Sequence, residues 1–299
     1  MKITVLGCGA LGQLWLNALF QKKHNVQGWL RDSKSSCNIN IFTTDKLHKF
    51  QLPANNVKHL TDSKLLVVTL KAWQISDAIR KLLPKIRSDC CILLLNNGLG
   101  VQEELPYLNQ PLLIGTTTHA ANFQNKTVHH IYSGSTNIGP MNIQAKSNNV
   151  ITKILDNALP QVIWHDNIMI SSWLKLAANC VINPLSVIHE CCNGKLRQYS
   201  NQIEKICREI AIVMNLKGYH TNYNSLQLYV EKIITNTANN ISSMLQDIRA
   251  QRRTEIDYIN GYAIRCAKTY NIYLKENCRL FNIIKNKENF IDSKNESFI

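Results

Sequence analysis

Runs rich in apolar residues alternate with helical repeats along the first half of the chain. Four such runs, bounded by polar or turn-forming residues, have the composition of buried strands; they lie at 1–6, 26–30, 65–70 and 91–95. Between them, 13–20 and 73–83 carry apolar residues at helical spacing. Strands that alternate with helices predict a parallel sheet of the Rossmann type. Further strands are expected at 112–115, 128–131 and 162–164, and a helix at 150–159.

The second half of the chain changes to almost continuous helical periodicity. Helices are predicted at 171–185, 196–219 and 226–244, with another that begins at 255. The polar residues 286–299 are predicted to be frayed. We therefore predict an α/β protein in which an N-terminal Rossmann-type parallel sheet domain, 1–166, precedes an all-α C-terminal domain, 167–299.

A glycine motif, Gly7-x-Gly9-x-x-Gly12, joins the first strand to the first helix. Gly7 permits the tight turn, Gly9 lets backbone N–H groups approach a pyrophosphate, and Gly12 lets helix and strand pack closely. A glycine turn formed by chance is the alternative, but a strand precedes the motif and a helix and strand follow it. We predict that a dinucleotide binds the loop residues Gly7, Cys8, Gly9, Ala10, Leu11 and Gly12, with Cys8 as a small apolar spacer.

The end of the second strand is expected to contact the adenosine ribose. Arg31 stands there, and Asp32 follows it directly. A basic residue at this position neutralises the 2′-phosphate of NADPH, whereas an acidic one accepts from the free 2′-hydroxyl of NADH. Because Arg31 comes first, NADPH is the predicted cofactor; the alternative makes Asp32 the ribose contact and Arg31 a solvated loop cation.

Several polar residues follow the carboxyl ends of predicted parallel strands, where open sheets bind ligands. Besides the glycine loop and Arg31, these are Lys71 and Asn97. We expect one crevice to collect them, although Lys71 could equally be a surface lysine and Asn97 part of a plain turn. His119 also follows a strand, as a candidate acid or a structural residue.

A narrow polar line crosses the otherwise apolar helix predicted at 171–185. Lys175, Asn179 and Asn183 are spaced four residues apart and so lie along one side of the helix. Burying such groups without partners costs about 1 to 3 kcal/mol each. The line is therefore expected to contact a bound substrate or, alternatively, to join a polar network between helices. In the same helix, Pro184 removes the N–H that would bond to Cys180.

Charge and cysteine content limit the classes of partner. The net charge of +14 divides into +8 for residues 1–166 and +6 for 167–299, without a localised basic block, so we predict no nucleic-acid partner. The ten cysteines include two adjacent pairs and no C-x-x-C, and the histidines have no metal-ligand spacing, so we expect reduced thiols and no metal site. The strand that leads into the glycine motif begins at residue 1, and the sequence shows neither a leader nor a membrane span, so we expect a cytoplasmic protein. We further expect a monomer or a weak homodimer.

Together these motifs resemble the ketopantoate reductase family. The resemblance rests on the glycine loop, Leu70-Lys-Ala-Trp73, Asn97-Gly98, the block from Trp173 to Pro184, and the blocks Ser242-Ser-Met-Leu-Gln-Asp and Thr-Glu-Ile-Asp257. It covers nearly the whole chain except the tail. It implies reduction of 2-dehydropantoate to (R)-pantoate by NADPH, a step toward pantothenate and coenzyme A.

The resemblance also implies roles for individual residues. Lys175 matches the family's general acid, and Glu255 matches the catalytic carboxylate, which also binds substrate and lies at the cofactor. The implied substrate contacts are Asn97, Asn179, Asn183, Asn193, Asn240 and Ser243. Arg31 and Lys71 match the cofactor-phosphate contacts, and Asn97 lies by the nicotinamide.

Two other functions remain open at this point. Another NAD(P)-dependent 2-oxo or 3-hydroxy acid dehydrogenase would share the two-domain plan. A non-catalytic NADP-sensing module would need the glycine loop but would have no use for Lys175 and Glu255.

Overall fold

A computed structural model of the chain describes residues 1–43 and 46–296. It divides into two compact units. One contains Met1–Asn96 and Glu103–Ser171, and the other contains Asn97–Gln102 and the chain from Ser172 onward. The short segment Asn97–Gln102 thus packs with the C-terminal helices, although it begins three residues after the strand Cys91–Leu94 of the first unit.

The first unit contains all the strands found in the described residues. They are β1 (Lys2–Leu6), β2 (Asn25–Trp29), β3 (Ser36–Thr43), β4 (Lys46–Pro53), β5 (Leu65–Val68), β6 (Cys91–Leu94), β7 (Leu112–Thr117), β8 (Ala120–Gln124), β9 (Thr127–Tyr132), β10 (Thr136–Pro140) and β11 (Val162–Trp164). The helices along the chain are α1 (Ala10–Gln21), α2 (Val57–Thr61), α3 (Ala72–Leu82), α4 (Val101–Glu104), α5 (Val150–Ala158), α6 (Ile168–Ile188), α7 (Ser200–Leu216), α8 (Tyr223–Asn236), α9 (Ser243–Arg249), α10 (Asn260–Lys268) and α11 (Lys275–Glu296).

Seven strands form the main sheet, in the order β11-β10-β7-β6-β5-β1-β2. All neighbours are parallel except β7 and β10, which pair antiparallel. Every residue of β5 and β6 is buried, as expected for central strands covered on both faces. This confirms the predicted Rossmann-type sheet followed by a helical region.

A second sheet of four strands, in the order β4-β3-β9-β8, was not predicted. Its strand β3 buries Cys37, Ile39 and Ile41 at every second position, the pattern of a strand with one covered face. The side chain of Gln13 on α1 accepts a hydrogen bond from the Asn40 N–H at 3.1 Å and so ties this sheet to the first helix.

In the second unit, α6 continues through Pro184 to Ile188. Because proline has no N–H, the carbonyl of Cys180 lacks its usual helical donor. The buried Asn260 supplies one instead, through Nδ2 at 3.0 Å from the Cys180 oxygen. The same Nδ2 also donates to Oδ1 of Asn277 at 2.9 Å, so the missing bond is replaced by a link between α6, α10 and α11.

The structure corrects two sequence predictions near α8 and α11. The helix predicted at 226–244 ends at Asn236, and a separate helix, α9, begins after Ser242, whose hydroxyl accepts from the Leu245 N–H. The residues from 286 that we expected to be frayed continue α11 to Glu296, because Glu288 is buried and hydrogen-bonded to Thr254. Residues 297–299 lie outside the described residues.

By length and composition alone, α6 is the one helix in the described residues that could cross a membrane. However, 67% of its most apolar window is buried inside the protein. A core helix of a folded domain has the same property, so this is weak evidence for a membrane span.

Candidate active site

The glycine loop after β1 has the conformation that its sequence predicts. Gly7 adopts a φ of +95°, in the region that favours glycine. At Gly12 a Cβ atom would lie 1.9 Å from the carbonyl oxygen of Gly7, so only glycine fits there. The hydroxyl of Thr69 donates to the same oxygen at 2.7 Å and fixes the loop to the end of β5.

Gly9 is the N-cap of α1, and no side chain caps the helix. A Cβ atom built on Gly9 would meet none of the described atoms within 4 Å, so its backbone faces open space. The first-turn residues Ala10 and Leu11 follow at the positive end of the helix dipole. The loop therefore fits the pyrophosphate of a dinucleotide, which the backbone N–H groups would hold.

The Cys8 side chain points beneath the loop. Its sulfur lies 2.7 Å from the position that a Cβ on Gly28 would occupy, and the sulfur of Cys37 lies 2.8 Å from the same point. A hydrogen bond to Cys37 and burial raise the pKa of Cys8. Cys8 is therefore a protonated packing thiol, in line with the predicted spacer role.

The strand ends that carry the other predicted cofactor residues are in register. Leu6 at the end of β1 pairs with Trp29 of β2 and Val68 of β5, so the carboxyl ends of these strands share one sheet edge. Arg31 is exposed two residues beyond β2, and Lys71 is the N-cap residue of α3, three residues beyond β5. Asp32 is also exposed, and its carboxylate lies 3.5 Å from the ammonium of Lys34.

In the second unit the structure joins three predicted site residues by hydrogen bonds. The ammonium of Lys175 donates to Oδ1 of Asn97 at 3.2 Å. Nδ2 of Asn97 donates in turn to Oε2 of Glu255 at 3.1 Å. Asn97 thus orients a cation on α6 and a carboxylate 158 residues away in the chain. We call these residues the Lys175–Asn97–Glu255 array.

The environment of this array tunes the acidity of Lys175. Burial lowers the pKa of Lys175 from 10.5 to about 8, and the negative charge of Glu255 opposes that shift. An ammonium with a pKa near the working pH can transfer its proton readily and remains largely protonated at neutral pH. The array therefore has the properties of a general acid held by a carboxylate and an amide.

Local backbone contacts place Asn97 against the segment that carries Glu255. Gly98 adopts a φ of +79°, and a Cβ there would lie 2.2 Å from the carbonyl oxygen of Tyr258. The N–H of Leu99 donates to that same oxygen at 2.8 Å. Glu255 precedes a short 3₁₀ turn, Ile256–Tyr258, where a regular helix was predicted; α10 begins only at Asn260.

The other two members of the predicted polar line lie along α6. Asn179 is half-buried and Asn183 is buried. One turn beyond, the hydroxyl of Ser186 donates to the Asn183 carbonyl at 2.8 Å and contacts the hydroxyl of Ser242 at 2.6 Å. Ser242 thereby fixes the start of α9 to α6, and Ser243, the predicted substrate contact, is the exposed residue that follows.

Asn193 and Asn240 form a separate contact. The N–H of Asn193 donates to the carbonyl of Asn240 at 3.0 Å, and Nδ2 of Asn193 donates to the hydroxyl of Thr237 at 2.9 Å. Oδ1 of Asn193 is buried and has no partner among the described residues. These residues join the start of a 3₁₀ helix, Asn193–Tyr199, to the loop before α9. Among the described residues, no hydrogen bond links them directly to the Lys175–Asn97–Glu255 array.

His119 has a structural role. Its Nδ1 accepts from the Gly134 N–H at 3.1 Å and lies 3.2 Å from Nε2 of His130. Burial, with a further contribution from His130, lowers the pKa of His119 to about 4. The ring is therefore neutral at physiological pH and ties the ends of the β8–β9 hairpin.

Sequence reasoning missed several residues that hold the site residues in place. They are Asn55, Thr69, Ser186, Ser242 and Glu288. The cap at Ser242 has a sequence signal, a serine before a helical segment. The others act on residues far away in the chain, which no local pattern reveals.

Comparisons with known proteins identify the family of the chain. The family model for ketopantoate reductase PanE/ApbA matches residues 3–142, and the model for its C-terminal region matches 167–288. A 2-dehydropantoate 2-reductase of Yersinia pestis is 50% identical over 289 residues, covering 96% of this chain and 95% of the relative.

Solved structures share the fold at lower identity. A PanE/ApbA family ketopantoate reductase from Ralstonia eutropha JMP134 has a TM-score of 0.87 and 22% identity, and the alignment covers 98% of this chain and all of that one. A D-mandelate dehydrogenase solved with NADH and anilino(oxo)acetate has a TM-score of 0.86 and 23% identity, with 98% and 99% covered. The family models and the high identity to the Yersinia pestis enzyme show that the chain belongs to the ketopantoate reductase family of NAD(P)-dependent oxidoreductases.

Proposed function

We propose that the protein reduces 2-dehydropantoate to (R)-pantoate with NADPH, a step in the biosynthesis of pantothenate and coenzyme A. The observation that carries this proposal is the Lys175–Asn97–Glu255 array in a chain of this family. We assign cofactor binding to the domain 1–166 and substrate binding and catalysis to 167–299, together with Asn97.

Lys175 is the proposed general acid. When bound, NADPH supplies the hydride that reduces the ketone carbon. Lys175 then gives a proton from Nζ to the oxygen on which negative charge develops. An ammonium stabilises that charge more strongly than it stabilises the neutral ketone. It therefore lowers the free energy of the transition state more than that of the bound substrate, which raises kcat. A lysine pKa of about 8 allows this transfer near neutral pH.

Glu255 and Asn97 keep Lys175 in position for this step. The carboxylate of Glu255 fixes the Asn97 amide, whose oxygen accepts from the lysine ammonium. Such preorganised partners reduce the reorganisation needed during the reaction. The carboxylate of Glu255 is also proposed to bind the substrate hydroxyl.

The remaining substrate contacts are proposed from the polar residues of the helical unit. Asn179, Asn183 and Ser243 offer amide and hydroxyl groups, which suit an oxo acid that carries a hydroxyl. Asn193 and Asn240 complete the proposed set, and the buried unpartnered Oδ1 of Asn193 supports a polar role there.

NADPH is proposed rather than NADH because of the charges beyond β2. Nothing in residues 1–43 and 46–296 forms a hydrogen bond or ion pair with the exposed guanidinium of Arg31. Asp32, whose charge would oppose a 2′-phosphate, is paired with Lys34. Arg31 and Lys71 would bind the phosphate groups, while the loop Gly7–Gly12 would bind the pyrophosphate.

The proposal is tested by measuring oxidation of NADPH by the purified protein with 2-dehydropantoate. A kcat/KM for 2-dehydropantoate well above those for other 2-oxo acids is expected. Equal or lower values would exclude the substrate assignment. The shared fold with a D-mandelate dehydrogenase makes the oxo acid of mandelate the most informative competitor. We further propose a cytoplasmic location and a monomer or weak homodimer.

A further inference from the structure

A single side chain, that of Asn55, holds the loop that follows β2. Its Oδ1 accepts from the Leu30 N–H at 2.8 Å. Its Nδ2 donates to the carbonyls of Asp32 at 2.6 Å and Lys34 at 2.9 Å. The side-chain amide of Asn55 therefore hydrogen-bonds three backbone groups on either side of Arg31, through its oxygen and its NH₂ group.

The backbone of Asn55 is itself anchored. Its N–H donates to the carbonyl of Gly28 in β2 at 3.1 Å, and the preceding Ala54 N–H donates to the carbonyl of Ser35 at 2.8 Å. Asn55 adopts a φ of +56°, a left-handed conformation that asparagine tolerates better than most residues. This conformation directs the amide across the mouth of the loop, between its two ends.

The loop needs such support because it has no regular structure of its own. Residues 31–35 are all exposed, and they contain no helix or strand. The ion pair between Asp32 and Lys34 is exposed on both sides and contributes little to order. Without the Asn55 contacts, the Arg31 backbone would sample several conformations. An anion would then bind Arg31 more weakly, because binding would have to order the loop.

We propose that Asn55 is a positioning residue that determines the preference for NADPH over NADH by fixing the loop that presents Arg31. This inference rests on the proposed cofactor. The 2′-phosphate is the part of the cofactor that Arg31 distinguishes, so a loosened loop weakens binding of NADPH more than that of NADH. Asn55 acts through the loop and needs no contact with the cofactor.

The test replaces Asn55 by glycine, because glycine accepts the positive φ and only the side chain is lost. Isothermal titration then compares 2′,5′-ADP with 5′-AMP, two probes that differ only in the 2′-phosphate. The wild-type protein is expected to prefer 2′,5′-ADP. Asn55→Gly is expected to lower that preference about tenfold, which corresponds to 1.4 kcal/mol, while the affinity for 5′-AMP changes less than about twofold.

Two variants serve as matched controls. Asn56→Ala removes the neighbouring asparagine, which caps α2 through the His59 N–H at 2.9 Å; among the described residues its side chain forms no hydrogen bond with the Arg31 loop. Asn271→Gly repeats the same substitution at a φ of +57° in the helical unit. Both are expected to keep the wild-type preference for 2′,5′-ADP, so a general loss of stability would not imitate the effect.

Hydrogen exchange gives a readout that is independent of the cofactor. The Leu30 amide, which donates to Oδ1 of Asn55, is expected to exchange faster in free Asn55→Gly than in the wild type or in Asn56→Ala. If Asn55→Gly proves unfolded, Asn55→Ser provides a neutral second variant, which keeps a side-chain oxygen and loses the amide donors without adding a charge beside Arg31.

The outcomes separate the two proposals. An unchanged preference in Asn55→Gly, in a protein whose wild type prefers 2′,5′-ADP, overturns the role of Asn55 alone. A wild type that binds both probes equally overturns the NADPH assignment, and the role of Asn55 with it.

Discussion

Glu288 accepts two hydrogen bonds from Thr254, one from its backbone N–H at 2.7 Å and one from its hydroxyl at 2.6 Å. Both residues are buried, and Thr254 directly precedes Glu255. The second oxygen of Glu288 accepts from Lys285 at 2.9 Å. The C-terminal helix therefore holds the backbone that presents the carboxylate of the proposed active site.

We expect Glu288→Gln to weaken this hold and to lower kcat about tenfold. A buried hydrogen bond to a charged group contributes about 1.5 to 3 kcal/mol to stability, so weakening it loosens the backbone that presents Glu255. KM for NADPH should change little. The control is Glu276→Gln, which removes an ion pair with Arg279 on the same helix and should leave kcat unchanged. If Glu288→Gln has a reduced Tm but a wild-type kcat, Glu288 contributes to the stability of the protein and does not position Glu255 for catalysis.

The pH dependence of kcat should report the titration of Lys175. Its pKa is lowered to about 8, chiefly by burial, and the protonated form is the proposed acid. Activity should therefore be full below pH 8 and fall as the pH rises through that value. Because the charge of Glu255 raises this pKa, Glu255→Gln should move the alkaline limb to lower pH.

Lys175→Ala should retain NADPH binding and lose kcat by about 100-fold or more, the usual contribution of a general acid. Steady-state kinetics and cofactor titration measure the two effects separately. Wild-type kcat in Lys175→Ala would remove Lys175 from the acid role.

Two glycines with the same backbone conformation distinguish strain from packing. Gly98 and Gly218 have φ values of +79° and +82°. A Cβ on Gly98 would lie 2.2 Å from the Tyr258 carbonyl oxygen, whereas one on Gly218 would meet no atom of the described residues within 4 Å. Measured by urea unfolding, Gly218→Ala should lower the free energy of unfolding by about 1 to 2 kcal/mol, and Gly98→Ala should lower it by about 3 kcal/mol or more. Only Gly98→Ala should also lower kcat, because Asn97 is adjacent; equal costs would contradict the close packing.

His119 should make the protein less stable in mild acid. Its pKa is about 4 in the folded protein and near 6.5 when unfolded, so the unfolded chain binds the proton more readily. The stability contributed by the neutral ring is complete above pH 6.5 and is lost as the pH falls toward 4. Between pH 7.5 and 5 the wild type should lose about 1 kcal/mol more than His119→Gln, allowing for partial exposure. Urea unfolding at the two pH values measures this difference. Equal losses of the free energy of unfolding in the wild type and in His119→Gln would refute the prediction.

The main sheet and the glycine loop could be predicted because their signals are local. Buried parallel strands are runs of apolar residues, and Gly7, Gly9 and Gly12 lie within six positions. The β3–β4 pair was missed although Cys37, Ile39 and Ile41 alternate in the sequence, because neighbouring polar residues weakened that pattern. The helix boundary at Asn236 was missed because apolar periodicity continues beyond it.

The sequence by itself determined the family, the sheet, the cofactor loop and the line of Lys175, Asn179 and Asn183 on one helix. Only the tertiary structure decided that Asn97 joins Lys175 to Glu255, that Asn55 fixes the loop of Arg31, and that Glu288 supports Thr254. The physical reason is separation along the chain. Residue type and periodicity act over a few positions, whereas these hydrogen bonds join residues that only the packing of distant helices and strands brings within 3 Å or so of each other.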